Sequence, residues 1–359
     1  MIAVLTSGVA LGAHVPGLRL AQRLRERGAD VSVDVLERWL PDDRLAAVVE
    51  SRRHFQQDLR FALAAQRLAS DPVDDITPQA RGALEERWEE QGVDTFVVFS
   101  GFWLRLLDSF LGRRSRPARI VACHVDAVVS PSYRRASHLV PQAEHVWLAR
   151  DDGTLPWTIP VDTRPPLPWS ARTGRLLVHG GGWAIGSYQD RARELAAAGR
   201  PLDLIVPGES AAVDWARCFT LDPTWHPWHD DGLPPLLGVP AGPGEEGAVP
   251  GEQGADPGEQ GRQLPYELAR SASALVSKPG GGTLLDSLWT ATPLILLEPA
   301  GSHEAANARL WQQLGFALPY DDWRACGFAP ERLEPLHRAL LGAAARPRNL
   351  IDGLLTPHT

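Results

Sequence analysis

Lysine is almost absent from this chain: of its 36 basic residues only Lys278 is a lysine. The bias reflects coding composition rather than arginine chemistry, and it makes the place of the surviving lysine informative, beside a run of glycines. Cysteine is scarce as well. Cys123, Cys218 and Cys326 are odd in number, far apart and in no metal-ligand spacing, which argues against a disulfide framework or a cysteine-held zinc and predicts buried free thiols. No apolar run approaches the ~20 residues that cross a bilayer. The opening MIAVLTSG has no basic segment leading into a long apolar one, so a cytoplasmic protein is expected. Positive charge is in deficit, with a net charge of -8, so a nucleic-acid partner would meet overall repulsion.

What is present is a globular composition, 44% hydrophobic and 22% charged over 359 residues, longer than one core ordinarily serves. Two domains are expected. The first, residues 1–155, opens with an apolar run Ile2 to Leu5, an amphipathic stretch with Leu18, Ala21 and Leu24 at helical spacing, a stop at Gly28 and a second apolar run from Val31. That is a βαβ unit. Helical patterning fills roughly 43–91, and further strands are expected at Thr95 to Phe99, Ile120 to His124 and Val146 to Leu148. Residues 156–174 are proline-rich and read as the linker. Strand and helix patterns alternate again over 175–345, which implies a second parallel sheet. Residues 238–261, where PGEEG, PGEQG and PGEQG recur, cannot pack a core and read as a disordered insertion.

Chemistry concentrates in SKPGGGTLLDSL, where a short strand runs into three glycines and then a helix. Glycines let a ligand approach the backbone, and free N–H groups at a helix start suit a diphosphate; the same turn also serves simply to fit helix to strand. Thr283 caps the helix or donates to phosphate, and Asp286 lies one turn in, where a carboxylate accepts from ribose hydroxyls. HPWHDD, His226 to Asp231, imitates a metal cluster.

With its continuation GSHEAANARLWQQLGFAL, this segment resembles the GT-B glycosyltransferases, in particular the MurG and UDP-glycosyltransferase superfamily. Ser277, Gly280, Thr283 and Asp286 match one motif of that superfamily, with aspartate for glutamate; Asn307, Ala308 and Gly315 match the next. The N-terminal SGVALGAHVPGLRLAQRLRERGADVSV resembles its opening motif, with the histidine displaced by one residue because Ala13 intervenes.

The resemblance implies an α/β, GT-B fold: two Rossmann-like domains with parallel sheets facing across a cleft. It implies an inverting, metal-independent transfer from an NDP-sugar, a UDP-sugar as co-substrate, to a small-molecule acceptor, with no further cofactor. His14 is the implied base. Asp126 is the candidate carboxylate behind it, with Asp108 the alternative. Gly181 and Gly182 of HGGGW, with Lys278, Gly280, Gly281, Gly282 and Thr283, are implied to bind the donor diphosphate, and Asp286 the ribose. His303, Glu304 and Asn307 are implied to meet the donor sugar. His303 and Glu304 replace the superfamily's Asp-Gln, which raises a uronic-acid donor.

Trp225, Trp228 and Tyr266 fall where the superfamily holds the uracil. Phe102 and Trp103, after a strand, suggest a flat acceptor such as a nucleobase. TSGVALGAHVPGL with SKPGGGT resembles the group related to cytosylglucuronic acid synthase, which joins UDP-glucuronate to cytosine. A UDP-sugar epimerase or hydrolase and a non-catalytic GT-B partner protein share the fold and stay open at this point.

Overall fold

The computed structural model describes residues 1–9, 11–57, 71–136, 138–182, 184–240 and 262–356. The N-terminal domain is built on five strands: β1 (Ile2–Thr6), β2 (Val31–Val35), β3 (Thr95–Val98), β4 (Arg119–His124) and β5 (Glu144–Trp147). They lie in the order β2-β1-β3-β4-β5, all parallel. Their nearly continuous apolar runs are what a sheet covered on both faces requires. Alternate residues divide between two cores: Val4, Val33, Val97 and Val121 face one helical layer, and Leu5, Phe96, Val98 and Ile120 the other.

In the C-terminal domain, β7 (Leu176–His179), β8 (Leu202–Val206), β9 (Arg217–Leu221), β12 (Ala274–Ser277), β13 (Leu294–Leu296) and β14 (Ala317–Pro319) run parallel. They continue through the antiparallel β10 (Leu236–Val239) and β11 (Arg262–Gln263) at one edge, giving the order β11-β10-β9-β8-β7-β12-β13-β14. Here too the strands alternate, Leu275 and Leu294 to one core, Ala274 and Ile295 to the other.

The chain crosses between the domains twice. Within the connection, β6 (Trp157–Thr158) pairs in parallel with β15 (Arg348–Asn349). The helix Leu350–Leu355 that follows buries Leu350, Ile351 and Leu354 in the core of the N-terminal domain. Gly353 lies so close to the Trp157 ring that a β-carbon there would stand 2.7 Å from it.

Some expectations need correction. Gly238 and Val239 belong to β10, paired with Phe219 and Cys218, so the ordered chain runs further than the proline-glycine pattern suggested; 241–261 lie outside the described residues. The helical patterning over roughly 43–91 is met, among the described residues, by the helices Asp42–Gln57 and Pro78–Glu90; 58–70 likewise lie outside the described residues. Cys123 and Cys218 are buried free thiols, but Cys326 is exposed. Among the described residues no helix is long and apolar enough to cross a membrane.

Candidate active site

Both sheets present their C-terminal strand ends to the junction between the domains. In the N-terminal sheet the chain leaves β1 on one side for β2 and on the other for β3; in the C-terminal sheet the same reversal falls between β7 and β12. Such switch points leave a crevice at the carboxyl ends of the strands, where open α/β sheets bind ligands.

On the N-terminal side, the helix α1 (Leu11–Glu26) follows β1 through a short loop. Glu37, buried in the turn Leu36–Trp39 after β2, holds that loop: it accepts from the Ser7 hydroxyl at 2.6 Å, Gly8 N–H at 2.8 Å and Val9 N–H at 3.3 Å. Burial pushes its carboxyl up against these bonds. One turn into α1 is His14, fully buried, with Nδ1 2.9 Å from the Thr6 hydroxyl and Nε2 without a hydrogen-bond partner. Burial, helped by the nearby Arg38 guanidinium, brings its pKa down to about 4; Asp231 and the Pro227 carbonyl pull the other way. The ring is therefore neutral at pH 7. Pro16 has no N–H to bond the Gly12 carbonyl four residues back, so that carbonyl is free to face the opposite domain.

On the C-terminal side, the helix α2 (Gly281–Thr290) starts at the end of β12, with Gly280 as its N-cap. His179 ends β7. Its Nδ1 accepts from Gly181 N–H at 3.1 Å and lies 3.3 Å from the Ser277 hydroxyl, which leaves Nε2 to carry the proton. Burial and the Lys278 ammonium bring this histidine too down to about 4. Lys278 sits beside Gly181, its Nζ 2.9 Å from Glu304. Backbone N–H groups at a helix start, an ammonium and a neutral histidine N–H thus stand together at one switch point, donors of the kind that suit an anion. Among the described residues, no three His, Cys, Asp or Glu are grouped to hold a metal ion.

The two halves are locked together, and the locks reassign several expected residues. Asp126 does not back His14. Its carboxylate accepts from Asn307 Nδ2 at 2.8 Å, with His303, Glu304 and Lys278 in its field, and burial raises it. Asn307, on the helix α3 (Ser302–Gln313), also donates to the Pro279 carbonyl at 2.9 Å and accepts from Ala127 N–H at 2.8 Å, so its amide is spent on joining the domains rather than free for a sugar. Both Glu304 oxygens are engaged, by Lys278 and by Ala300 N–H at 2.5 Å. Asp286 pairs with Arg19 of α1 at 2.5 Å, and Arg19 lies 5.3 Å over the Tyr266 ring. Burial raises the Asp286 carboxyl, with Arg19 opposing.

Gly281 and Gly282 meet protein: a β-carbon at Gly281 would stand 2.5 Å from Val125, and one at Gly282 3.5 Å from the Gly12 carbonyl. Gly182 likewise admits Leu11, at 2.5 Å from such a β-carbon. Trp103 is fully buried, its indole N–H donating to the Thr6 carbonyl at 2.7 Å, and Phe102 packs at the edge of the same core. The Trp103 ring is therefore scaffold, not an acceptor platform, while the Phe102 ring is half-buried.

The loop 222–233, which includes HPWHDD, covers His14. Trp225 lies 6.3 Å from the His14 ring, centroid to centroid. Arg38 holds the loop through the Trp228 carbonyl, the His229 carbonyl at 3.0 Å and the Asp231 carboxylate at 2.8 Å. Gly8 is needed beneath it, since a β-carbon there would stand 2.9 Å from Trp228. A small cavity of about 200 Å³ opens alongside, lined by Gly8, Leu11, Val48, Val49 and the covering residues Trp225 to Trp228.

Thr6, Arg19, Glu37, Arg38 and His179 had no role assigned from sequence. Arg19 and Glu37 carried a signal, since each is a charge inside an apolar run, LRLA and VLERW.

No family model matches the chain, and no curated protein matches it. Among solved structures it is similar to the Streptomyces sp. SF2575 glycosyltransferase SsfS6 complexed with thymidine diphosphate, with 14% identity, 99% of this chain and 98% of that one covered, and a TM-score of 0.60. It is similar also to the spinosyn rhamnosyltransferase SpnG, with 14% identity, 99% and 98% covered, and a TM-score of 0.55. At such identity the likeness is one of fold: the chain has the GT-B fold over its whole length.

Proposed function

We propose that the protein is an inverting glycosyltransferase that takes a sugar from a pyrimidine nucleoside diphosphate donor, a UDP- or TDP-sugar, without a metal. The observation that carries this reading is the pairing of two half-sites across one junction. A buried neutral histidine with a free Nε2 stands on the N-terminal side, and an anion cradle of helix start, Lys278 and His179 on the other.

In this reading the diphosphate lies at the β7/β12 switch point against the N-terminus of α2, where backbone N–H groups, Lys278 and the His179 N–H take up the charge that develops on departure. Asp286 exchanges Arg19 for the ribose hydroxyls. His14 Nε2 removes a proton from the acceptor, whose heteroatom bonds to the anomeric carbon as the bond to the β-phosphate oxygen breaks; one in-line displacement inverts that centre. His303, beside Asp126, faces the sugar side and suits a uronate donor. Trp225 and Pro227 must move for the acceptor to reach His14.

Calorimetry with UDP and TDP, run beside turnover of their sugars in EDTA, tests the reading. We expect Asp286→Ala to weaken nucleotide binding, and His14→Ala to keep it while turnover falls by ~10²- to 10⁴-fold, the contribution typical of a general base. Binding of neither nucleotide would sink the proposal. Consumption of the donor without any acceptor would favour a hydrolase or epimerase instead.

A further inference from the structure

We propose that Thr6 takes the place of a carboxylate behind His14, and that the acceptor therefore offers an acidic O–H, a phenol or an enol, rather than an alkyl alcohol. The inference rests on the reading of His14 as the base.

The Thr6 side chain has one usable orientation. Its methyl group occupies the space over Gly17, where a β-carbon would stand 2.4 Å away, and this turns the hydroxyl toward His14 Nδ1 at 2.9 Å. The same hydroxyl reaches the Asp34 backbone carbonyl at 3.5 Å. A carbonyl only accepts, so the hydroxyl hydrogen is drawn to Asp34 and its oxygen is left to accept from Nδ1–H. His14 is thus held with Nδ1–H toward Thr6; Nε2 makes no hydrogen bond of normal geometry, and the Pro227 carbonyl that the ring meets leaves with the covering loop when the acceptor enters.

Among the described residues no carboxylate is free to support the imidazolium that forms when Nε2 takes a proton. The Asp34 carboxylate is occupied by the Trp88 indole N–H at 2.8 Å and by Arg87. Asp126 is bound to Asn307. Asp231, from the covering loop, and Arg38, from the turn after β2, both face His14, but they pair with each other at 2.8 Å and act on the ring with opposite sign. The Pro227 carbonyl and the Trp225 ring complete its surroundings. A base backed by a neutral hydroxyl is weak. Proton transfer to it is efficient only when the acceptor gives up its proton readily, as phenols do at a pKa of ~10, the value of the tyrosine hydroxyl.

The test compares phenol with benzyl alcohol, rings of similar size and very different acidity, at saturating donor. We expect phenol to turn over at least ~10-fold faster. Thr6→Val should lower kcat for phenol by on the order of 10-fold or more with nucleotide affinity unchanged, and Thr6→Ser should recover most of it. Thr6→Asp should raise the pH at which kcat rises and narrow the gap between the two acceptors. Nitrogen shifts of His14 read the tautomer with no acceptor present: Nδ1 protonated and Nε2 bare is expected. The opposite tautomer, wild-type kcat and pH profile in Thr6→Val, equal rates for the two acceptors, or turnover of neither by donor-loaded enzyme would each overturn the proposal. Wild-type turnover in His14→Ala would instead overturn the assignment of the base.

Discussion

Replacing Arg19 by methionine removes one half of a nearly buried ion pair, with Arg19 4% and Asp286 20% exposed in their side chains and 2.5 Å between them. Breaking such a pair from one side costs ~3–5 kcal/mol, because the remaining charge keeps its desolvation penalty and loses its partner. With an unfolding entropy of ~2.1 cal/mol/K per residue, a 359-residue chain loses about 4–7 °C in Tm. The loss depends on pH in a definite sense. Burial already raises the Asp286 carboxyl above 3.8, and Arg19 is the group that opposes this. Without Arg19 the folded-state value rises further, so stability present at low pH is lost as pH climbs through it. Scanning calorimetry of Arg19→Met should therefore show a smaller deficit at pH 5 than at pH 8, and the added change Asp286→Asn should recover most of it. A deficit independent of pH, or a double variant no more stable than the single one, would refute the account of the pair.

Other expectations follow from the same contacts. Asn307→Ala leaves the Ala127 N–H, the Pro279 carbonyl and the Asp126 carboxylate without their partner, at ~1–3 kcal/mol for each group that water does not reach; Tm should drop and the radius of gyration in scattering should grow. Trp103→Ala should cost ~3–5 kcal/mol as a core cavity, with acceptor KM unchanged in whatever folds; a selective change in KM would restore it to the acceptor site. Glu37→Ala should remove hydrogen-exchange protection at Gly8 and Val9 and lower turnover more than nucleotide affinity, because the loop it holds lies on the His14 side.

The parallel strands were legible because sheets covered on both faces demand unbroken apolar runs, and Ile2 to Leu5 or Ala274 to Ser277 read as little else. The glycine turns were legible as places of close approach and were assigned to a ligand; the structure brings protein to them as well, Val125 to Gly281, Leu11 to Gly182 and the Gly12 carbonyl to Gly282. Trp103 was misread from its position after a strand. Its helical partners Leu104, Leu107 and Phe110 mark the buried face on which it lies. The cover over His14 was hidden for a different reason. Nothing local in HPWHDD reveals that its backbone is held by Arg38, some 190 residues earlier. Asp126 was matched to the wrong neighbour: its place just after β4 brings it to the carboxyl ends of the strands, but does not decide that its carboxylate turns to Asn307 rather than to His14.

The return of the last helix to the first domain has a bearing on how the molecule can be cut and rejoined. Residues 1–155 expressed alone would lack Leu350, Ile351 and Leu354, which close their core, and the Gly353 carbonyl that Arg119 reaches at 3.1 Å. A chimera that swaps N-terminal halves between related proteins must therefore carry this terminal segment with the incoming half. The paired connections β6 and β15 also make the joint two-stranded. A joint of two paired connections resists free swivelling of one domain against the other more than a single linker would.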